Sequence, residues 1–230
     1  MKEASPNSIN FYGRDFLVTK DVLIPRPESE MIIDAVLNLC GKPYLPGVKA
    51  SASKIAEDLT IHDVGTGSGC LAITLACELP HARVAASDIS LPALQVAKKN
   101  AKKHNTKITF YESDLLEGLN LTSGPTSTPT PDLIVANLPY VDPEWPWLDK
   151  AALSIEPSIA LYAENHGLAL IYKLIGQIPD RTKFLILEAD PSEHAEIIKY
   201  AKNHHLTHCE TRGFILVFQN TAANYHPSPF

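Results

Sequence analysis

Seven residues, Asp63-Val64-Gly65-Thr66-Gly67-Ser68-Gly69, constrain this 230-residue chain more than any other segment. The run before them, Leu59–Val64, reads as a short strand, and an apolar helical pattern, Cys70–Leu79, follows. A glycine loop between strand and helix lets the backbone turn tightly and approach a ligand with no Cβ in the way. The helix start then offers free N–H groups to an anionic group. A plain tight turn would not require three alternating glycines behind an acidic strand end. The spacing is G-x-G-x-G, and Cys70 stands where a dinucleotide fingerprint has its third glycine. This closer spacing fits a nucleoside with an amino-acid tail better than a pyrophosphate.

The next strand, Arg83–Ser87, ends at Asp88, about 20 residues beyond the loop, where a carboxylate is placed to accept hydrogen bonds from ribose hydroxyls. The alternative is that Asp88 merely caps the following helix, a task Ser90 would perform equally well. A third strand, Lys107–Tyr111, leads to Ser113-Asp114-Leu115. Ligands of such sheets sit at the carboxyl ends of strands where the order reverses. Asp114 and Leu115 are therefore candidates for the polar edge and apolar face of an adenine pocket.

The alternation continues along the chain. Leu91–His104 reads as a helix, Leu133–Ala136 as a buried strand, Leu168–Ile178 as a helix, Phe184–Glu188 as a strand and Ser192–His204 as a helix. Two closing runs, Leu206–Thr211 and Phe214–Gln219, are separated only by Arg212-Gly213 and form an antiparallel hairpin at the sheet edge. The pattern is α/β, a seven-stranded, mostly parallel sheet with helices on both faces. Ahead of it, Phe11–Thr19 and Asp21–Pro25 read as two short extended runs. Pro27 then opens a helix with Glu28 and Glu30 at its positive end and an apolar stripe through Met31, Ile32, Ala35, Val36 and Leu39. A Pro/Gly/Ser-rich linker follows Gly41 to about Ser53, and Ser123–Thr130 is a low-complexity loop. The expected division is an N-terminal hairpin, helix and linker over 1–53, a catalytic domain over 54–220, and a loose tail over 221–230.

The fourth sheet strand runs directly into Asn137-Leu138-Pro139-Tyr140. These four residues have a chemical logic. An amide nitrogen is a poor nucleophile because its lone pair is delocalised, and its two N–H hydrogens lie in the amide plane. The Asn137 side-chain oxygen and the Leu138 carbonyl can accept one each. That fixes the plane and aims the out-of-plane nitrogen orbital at a sulfonium methyl. Pro139 stiffens the loop, and the Tyr140 ring can pack flat against the planar group. Catalysis is then mostly positioning, with reacting atoms ~3–3.5 Å apart. The exocyclic amine of adenine would be held equally well, so the loop by itself specifies a planar NH2 acceptor.

These motifs together resemble the HemK/PrmC family of release factor glutamine methyltransferases. Phe11-Tyr12-Gly13-Arg14-Asp15-Phe16 resembles that family's hairpin. Leu23-Ile24-Pro25-Arg26-Pro27-Glu28-Ser29-Glu30 is close to its Leu-Ile-Pro-Arg-Pro-Glu-Thr-Glu signature, the most specific part because general methyltransferases lack it. The glycine loop, Ser87-Asp88-Ile89-Ser90, Ser113-Asp114-Leu115, Glu156-Pro157, Ala160-Leu161 and Gly167-Leu168 also match, so the likeness spans about residues 11–219. The resemblance implies a Rossmann-like class I S-adenosylmethionine-dependent methyltransferase, with S-adenosylhomocysteine as product. It implies that the substrate is the glutamine of the Gly-Gly-Gln motif in class I peptide chain release factors. Residues 65–69, Asp88, Leu115 and Asn137 would line the cofactor site, Asn137–Tyr140 would hold the glutamine, and Arg26 and Glu28 would lie nearby. The sequence departs from the family twice. Leu138 stands where Pro is usual, giving the form typical of rRNA adenine dimethyltransferases. Only residues 1–10 precede the hairpin, where the family carries a helical domain that helps grip the release factor.

Charge separates the competing readings. The net charge is -6, whereas a protein living on naked RNA or DNA is usually basic. This counts against adenine methylation in RNA and against stable nucleic-acid binding. A cofactor-binding module without turnover is the third reading. Cys40, Cys70, Cys77 and Cys209 include no Cys-x-x-Cys pair and read as reduced, buried thiols. No segment reads as a signal peptide or bilayer span, so a cytoplasmic protein is expected. No metal site is expected at His204, His205, His208 and Cys209, which straddle a helix end and a strand start. Lys98, Lys99, Lys102 and Lys103 read as a solvated helix face. Trp145 and Trp147 follow the catalytic loop as either a substrate lip or a cap on the core.

Overall fold

In a computed structural model, the structure describes residues 7–42, 59–119, 121, 129–142, 144–145, 157–161 and 163–224. The boundary expected at residue 53, most of the 123–130 loop, Trp147, Glu156 and the end of the tail lie outside the described residues.

A hairpin opens the fold: β1 (Asn7–Phe11) pairs antiparallel with β2 (Arg14–Val18). Its turn, Tyr12-Gly13, has φ of 50° and 72°, the left-handed pair of a two-residue hairpin loop. The extended run expected over Phe11–Thr19 is therefore broken at its second residue, and the hairpin begins earlier. Tyr12 is a strand former, but its N–H donates to Glu30 Oε1 at 2.6 Å and its hydroxyl to Asp34 Oδ1 at 2.9 Å. Tertiary hydrogen bonds override its propensity. Asp21–Pro25 is likewise not a strand. A 3-10 turn, Pro27–Ser29, then leads into α1 (Glu30–Leu39), which buries Ile32, Ile33, Val36 and Leu39.

The sheet contains β3 (Thr60–Val64), β4 (Arg83–Asp88), β5 (Ile108–Glu112), β6 (Leu133–Ala136), β7 (Phe184–Glu188), β8 (Leu206–Arg212) and β9 (Ile215–Asn220). Their order is β5-β4-β3-β6-β7-β9-β8, and only β9 runs antiparallel to its neighbours. Between them lie α2 (Cys70–Glu78), α3 (Leu91–Lys103), α4 (Ala169–Gln177) and α5 (His194–Lys202). The arrangement is the Rossmann-like one expected, closed by the antiparallel hairpin.

Alternation along the central strands produces two cores. Leu133, Val135 and Ile186 face α1 and α2, while Ile134, Ala136, Leu185 and Leu187 face α4 and α5. β3, β6 and β7 are buried at every position; β6 and the first four residues of β7 read as apolar runs, while β3 also buries Thr60, His62 and Asp63. Each such Ile or Leu contributes about 1.5–3 kcal/mol by burial. Register then sets the site. Val64 is level with both Ser87 and Ala136, and Ala136 is level with Leu187. Gly65, Asp88, Asn137 and Glu188 consequently emerge side by side on one rim, where the strand order reverses between β3 and β6.

One buried side chain ties the N-terminal hairpin to this rim. Asn100 accepts from the Leu17 N–H at 2.8 Å and donates to the carbonyls of Leu17 and Ser68, each at 2.9 Å. It is fully buried within a run whose Lys98, Lys99, Lys102 and Lys103 are exposed. Among the described residues, no helix is long and apolar enough to cross a membrane.

Candidate active site

A cavity of about 290 Å³ opens at the carboxyl ends of β3, β4 and β6. Its floor is the glycine loop. Asp63, fully buried at the end of β3, accepts at Oδ2 from Thr66 Oγ1 at 2.6 Å and from the Ala72 N–H at 3.2 Å. It clamps both ends of the loop, and its burial pushes its pKa up to about 7. Gly65 has φ of 73°, and a Cβ there would lie 2.8 Å from Leu138 Cδ2. Only glycine allows the two loops this approach.

Asp88 forms the wall at the end of β4. Its Oδ2 accepts from the Gly67 N–H at 2.8 Å and its Oδ1 from the Ser90 N–H at 2.8 Å. The cap of α3 is Ser90, whose hydroxyl accepts from the Ala93 N–H at 3.3 Å. Asp88 is thus not consumed as the helix cap, and its carboxylate keeps further acceptor capacity at the cavity. Burial raises its pKa. Leu115 sits opposite in a left-handed conformation, φ 57°. Its carbonyl accepts from Ser87 Oγ at 3.1 Å, and Ser87 Oγ is 3.0 Å from His62 Nε2. Burial lowers the His62 pKa to about 4, so the ring is neutral. Because the Ser87 proton goes to Leu115, His62 must donate from Nε2. This buried relay from β3 holds Leu115 in place.

The loop after β6 closes the far side. The Asn137 side-chain amide donates to Ser29 Oγ at 2.8 Å, Ser29 Oγ donates to Glu188 Oε2 at 2.6 Å, and the Tyr140 hydroxyl donates to Glu188 Oε1 at 2.9 Å. Burial raises the Glu188 pKa against these donors, and burial beside Glu188 raises that of Tyr140. The loop is held from below by Gly167, where φ is 89° and a Cβ would lie 2.1 Å from the Tyr140 carbonyl oxygen.

Of the residues expected at the site, Gly65, Thr66, Gly67, Ser68, Asp88, Asp114, Leu115, Asn137, Leu138 and Pro139 line the cavity. Gly69 does not, and instead lets the start of α2 approach Ala97 of α3, where a Cβ would lie 3.1 Å from the Ala97 Cβ. Tyr140 also stands off the cavity, anchored through its hydroxyl to Glu188. Asp114 lines the cavity while its carboxylate pairs with Lys173 of α4 at 2.6 Å. Sequence reasoning missed Val22, Leu23, Pro25 and Ser29, which wall the cavity from the N-terminal segment, and Ile159, which joins its rim. Arg26 and Glu28 are not among the lining residues. The signal was present in the signature containing Ser29, but nothing local says which of its residues face inward.

Glu193, at the start of α5, is 7% exposed, and neither carboxylate oxygen has a hydrogen-bond partner among the described residues. Burial, with Asp190 and Asp142 nearby, pushes its pKa up to about 8. The folded state therefore holds a proton that the unfolded chain releases near its ordinary carboxylate pKa. Stability is present below that ordinary pKa and is lost as pH rises toward the folded value. Glu193→Gln is expected to leave the unfolding midpoint almost unchanged at pH 5 and to stabilise the protein by ~2 kcal/mol at pH 9. Denaturant unfolding at both pH values checks this, and an equal shift at both would rule out ionisation as the cause.

The family model for the methyltransferase small domain matches residues 47–144. A release factor glutamine methyltransferase of Staphylococcus aureus is 33% identical over 219 residues, covering 85% of this chain and 70% of its own length. One of Chlorobaculum tepidum is 42% identical over 158 residues, covering 66% of this chain and 49% of its own length. The share falls to 33% for a longer relative, a bifunctional methyltransferase of Rickettsia bellii. In fold, the chain resembles the 16S rRNA methyltransferase RsmC of T. thermophilus, solved with AdoMet and guanosine. That match has a TM-score of 0.58 at 16% identity and covers 94% of this chain and 50% of the other.

Proposed function

The chain belongs to the release factor glutamine methyltransferases, and from that premise we propose that it methylates the side-chain amide nitrogen of the Gly-Gly-Gln glutamine in class I peptide chain release factors. The methyl donor is S-adenosylmethionine, which when bound supplies an electrophilic sulfonium methyl group. The residues present fit such a donor. Asp88 offers unused carboxylate lone pairs to ribose hydroxyls. A Cβ on Gly67 would meet no protein atom within 4 Å, so bare backbone faces the cavity there. Leu115 and Ile89 supply apolar walls, and the start of α2 suits the anionic end of an amino-acid tail.

The observation that carries the reading is the orientation of Asn137. Its amide nitrogen is committed to Ser29 at 2.8 Å, so its oxygen remains free to accept a substrate N–H. The Leu138 carbonyl takes the second N–H, as a proline carbonyl would. The Leu138 side chain is buried against Gly65, so the departure from the family's usual proline is absorbed by packing. The loop holds the acceptor amide plane, which leaves its out-of-plane orbital as the nucleophile.

The test is transfer of labelled methyl groups to a class I release factor and to the same factor with its Gly-Gly-Gln glutamine changed to alanine. Label is expected only in the first. Equal labelling of both, or label in added RNA and not in protein, would overturn the reading in favour of another acceptor.

A further inference from the structure

We propose that Glu188, acting through Ser29, is a positioning residue that fixes the Asn137 side-chain amide with its oxygen toward the cavity. This rests on the reading of Asn137 as the residue that holds the acceptor. The oxygen and nitrogen of an asparagine amide are nearly identical in size, so shape alone does not choose between its two orientations. Hydrogen-bond polarity does. A carboxylate accepts and does not donate. Glu188 therefore draws the single Ser29 proton to itself across 2.6 Å. With that proton spent, Ser29 Oγ can only accept from Asn137, and the group at 2.8 Å must be the amide nitrogen. The charge on β7 thus sets the sense of a two-step relay that ends at the catalytic loop.

The same carboxylate takes the Tyr140 hydroxyl at 2.9 Å, so one group holds both ends of Asn137–Tyr140. Ser29 and Glu188 are each 2% exposed, and Ser29 lies 108 positions from Asn137 and 159 from Glu188 in the chain. Ser29 comes from the N-terminal segment, the loop from β6 and Glu188 from the end of β7. Glu188 is not among the cavity-lining residues, so it acts on the acceptor only through others. This also gives the N-terminal signature a physical task, since it supplies the hydroxyl that carries the polarity across.

The test compares Glu188→Gln, Ser29→Ala and Ser29→Thr with the natural protein. A glutamine at 188 can donate as well as accept, so the relay loses its sense. Glu188→Gln is expected to lower kcat by about 10–100-fold, with KM and donor affinity within about threefold. Ser29→Ala is expected to lose about tenfold in kcat, and Ser29→Thr, which keeps the hydroxyl, to recover it. Independently of turnover, the side-chain amide NMR signals of Asn137 are expected to shift and exchange faster in Ser29→Ala and to be restored in Ser29→Thr. The proposal is overturned if Ser29→Ala keeps natural kcat and amide signals, or if Ser29→Thr is as impaired as Ser29→Ala. If Glu188→Gln fails to fold, the two Ser29 variants decide. If the natural protein labels another acceptor, the glutamine reading fails by itself, and the same variants are compared on that acceptor.

Discussion

Asn137→Ala is expected to lower the turnover number about a thousandfold, roughly 4 kcal/mol of lost transition-state stabilisation. The residue stands on the cavity wall at the end of β6, with its nitrogen held by Ser29 and its oxygen free. Removing that oxygen leaves one of the two acceptor N–H groups without a partner. The amide plane can then rotate about the remaining bond to the Leu138 carbonyl, and most of the orientational gain is lost. The loss is not total, because the backbone carbonyl and the donor site persist. Donor affinity is expected to stay within about tenfold, since Asp88 and the glycine loop are untouched. Single-turnover labelling of a release factor, beside calorimetric titration of S-adenosylhomocysteine, separates the two quantities. A turnover number within tenfold of natural would show that Asn137 does not orient the acceptor.

The features on which this prediction rests differ in how visible they were. The glycine loop and the Asn137 loop were legible because each sits within a few residues of a strand end. Strand ends were legible because β6 and β7 are buried on both faces and read as apolar runs, and because β3 ends in Asp63-Val64 directly before the glycines. The parallel order followed from alternation of strands with helices. What escaped was long-range. Ser29 and Glu188 are 159 positions apart, and no local spacing relates them. Glu188 looks like the polar end of an ordinary strand until register sets it beside Asn137. Asn100 hides among four lysines, although it joins β2, α3 and the glycine loop. Strand propensity ran one extended segment through the turn at Tyr12-Gly13, where the family likeness over Phe11–Phe16 has a hairpin, because the local preference for strand is overruled by contacts with Glu30 and Asp34. Asp21–Pro25 resembled a strand because extended apolar residues also suit a segment that walls a cavity.

The second large effect belongs to the donor and separates cleanly from the first. Asp88→Ala is expected to weaken binding of S-adenosylhomocysteine about a hundredfold, and a hydrogen bond to a charged group contributes about 1.5–3 kcal/mol. Two losses combine. The ribose hydroxyls lose their carboxylate acceptor, and the Gly67 N–H loses the partner that holds it at 2.8 Å, so the loop backbone is no longer preorganised. Burial already raises the Asp88 pKa, which means its charge is costly in the free protein and is offset when ligand hydroxyls arrive. The fold is expected to survive, because Ser90 and not Asp88 caps α3 and Asp63 still clamps the loop. Asp88→Asn keeps one acceptor oxygen and is expected to lose only about tenfold in affinity. At saturating donor, both variants should turn over within about fivefold of natural, in contrast to Asn137→Ala, because they leave the acceptor's geometry alone. Calorimetry with S-adenosylhomocysteine, with thermal unfolding as the check on folding, measures the effect. Unchanged affinity in Asp88→Ala would remove the ribose from this end of β4 and require a different placement of the donor in the cavity.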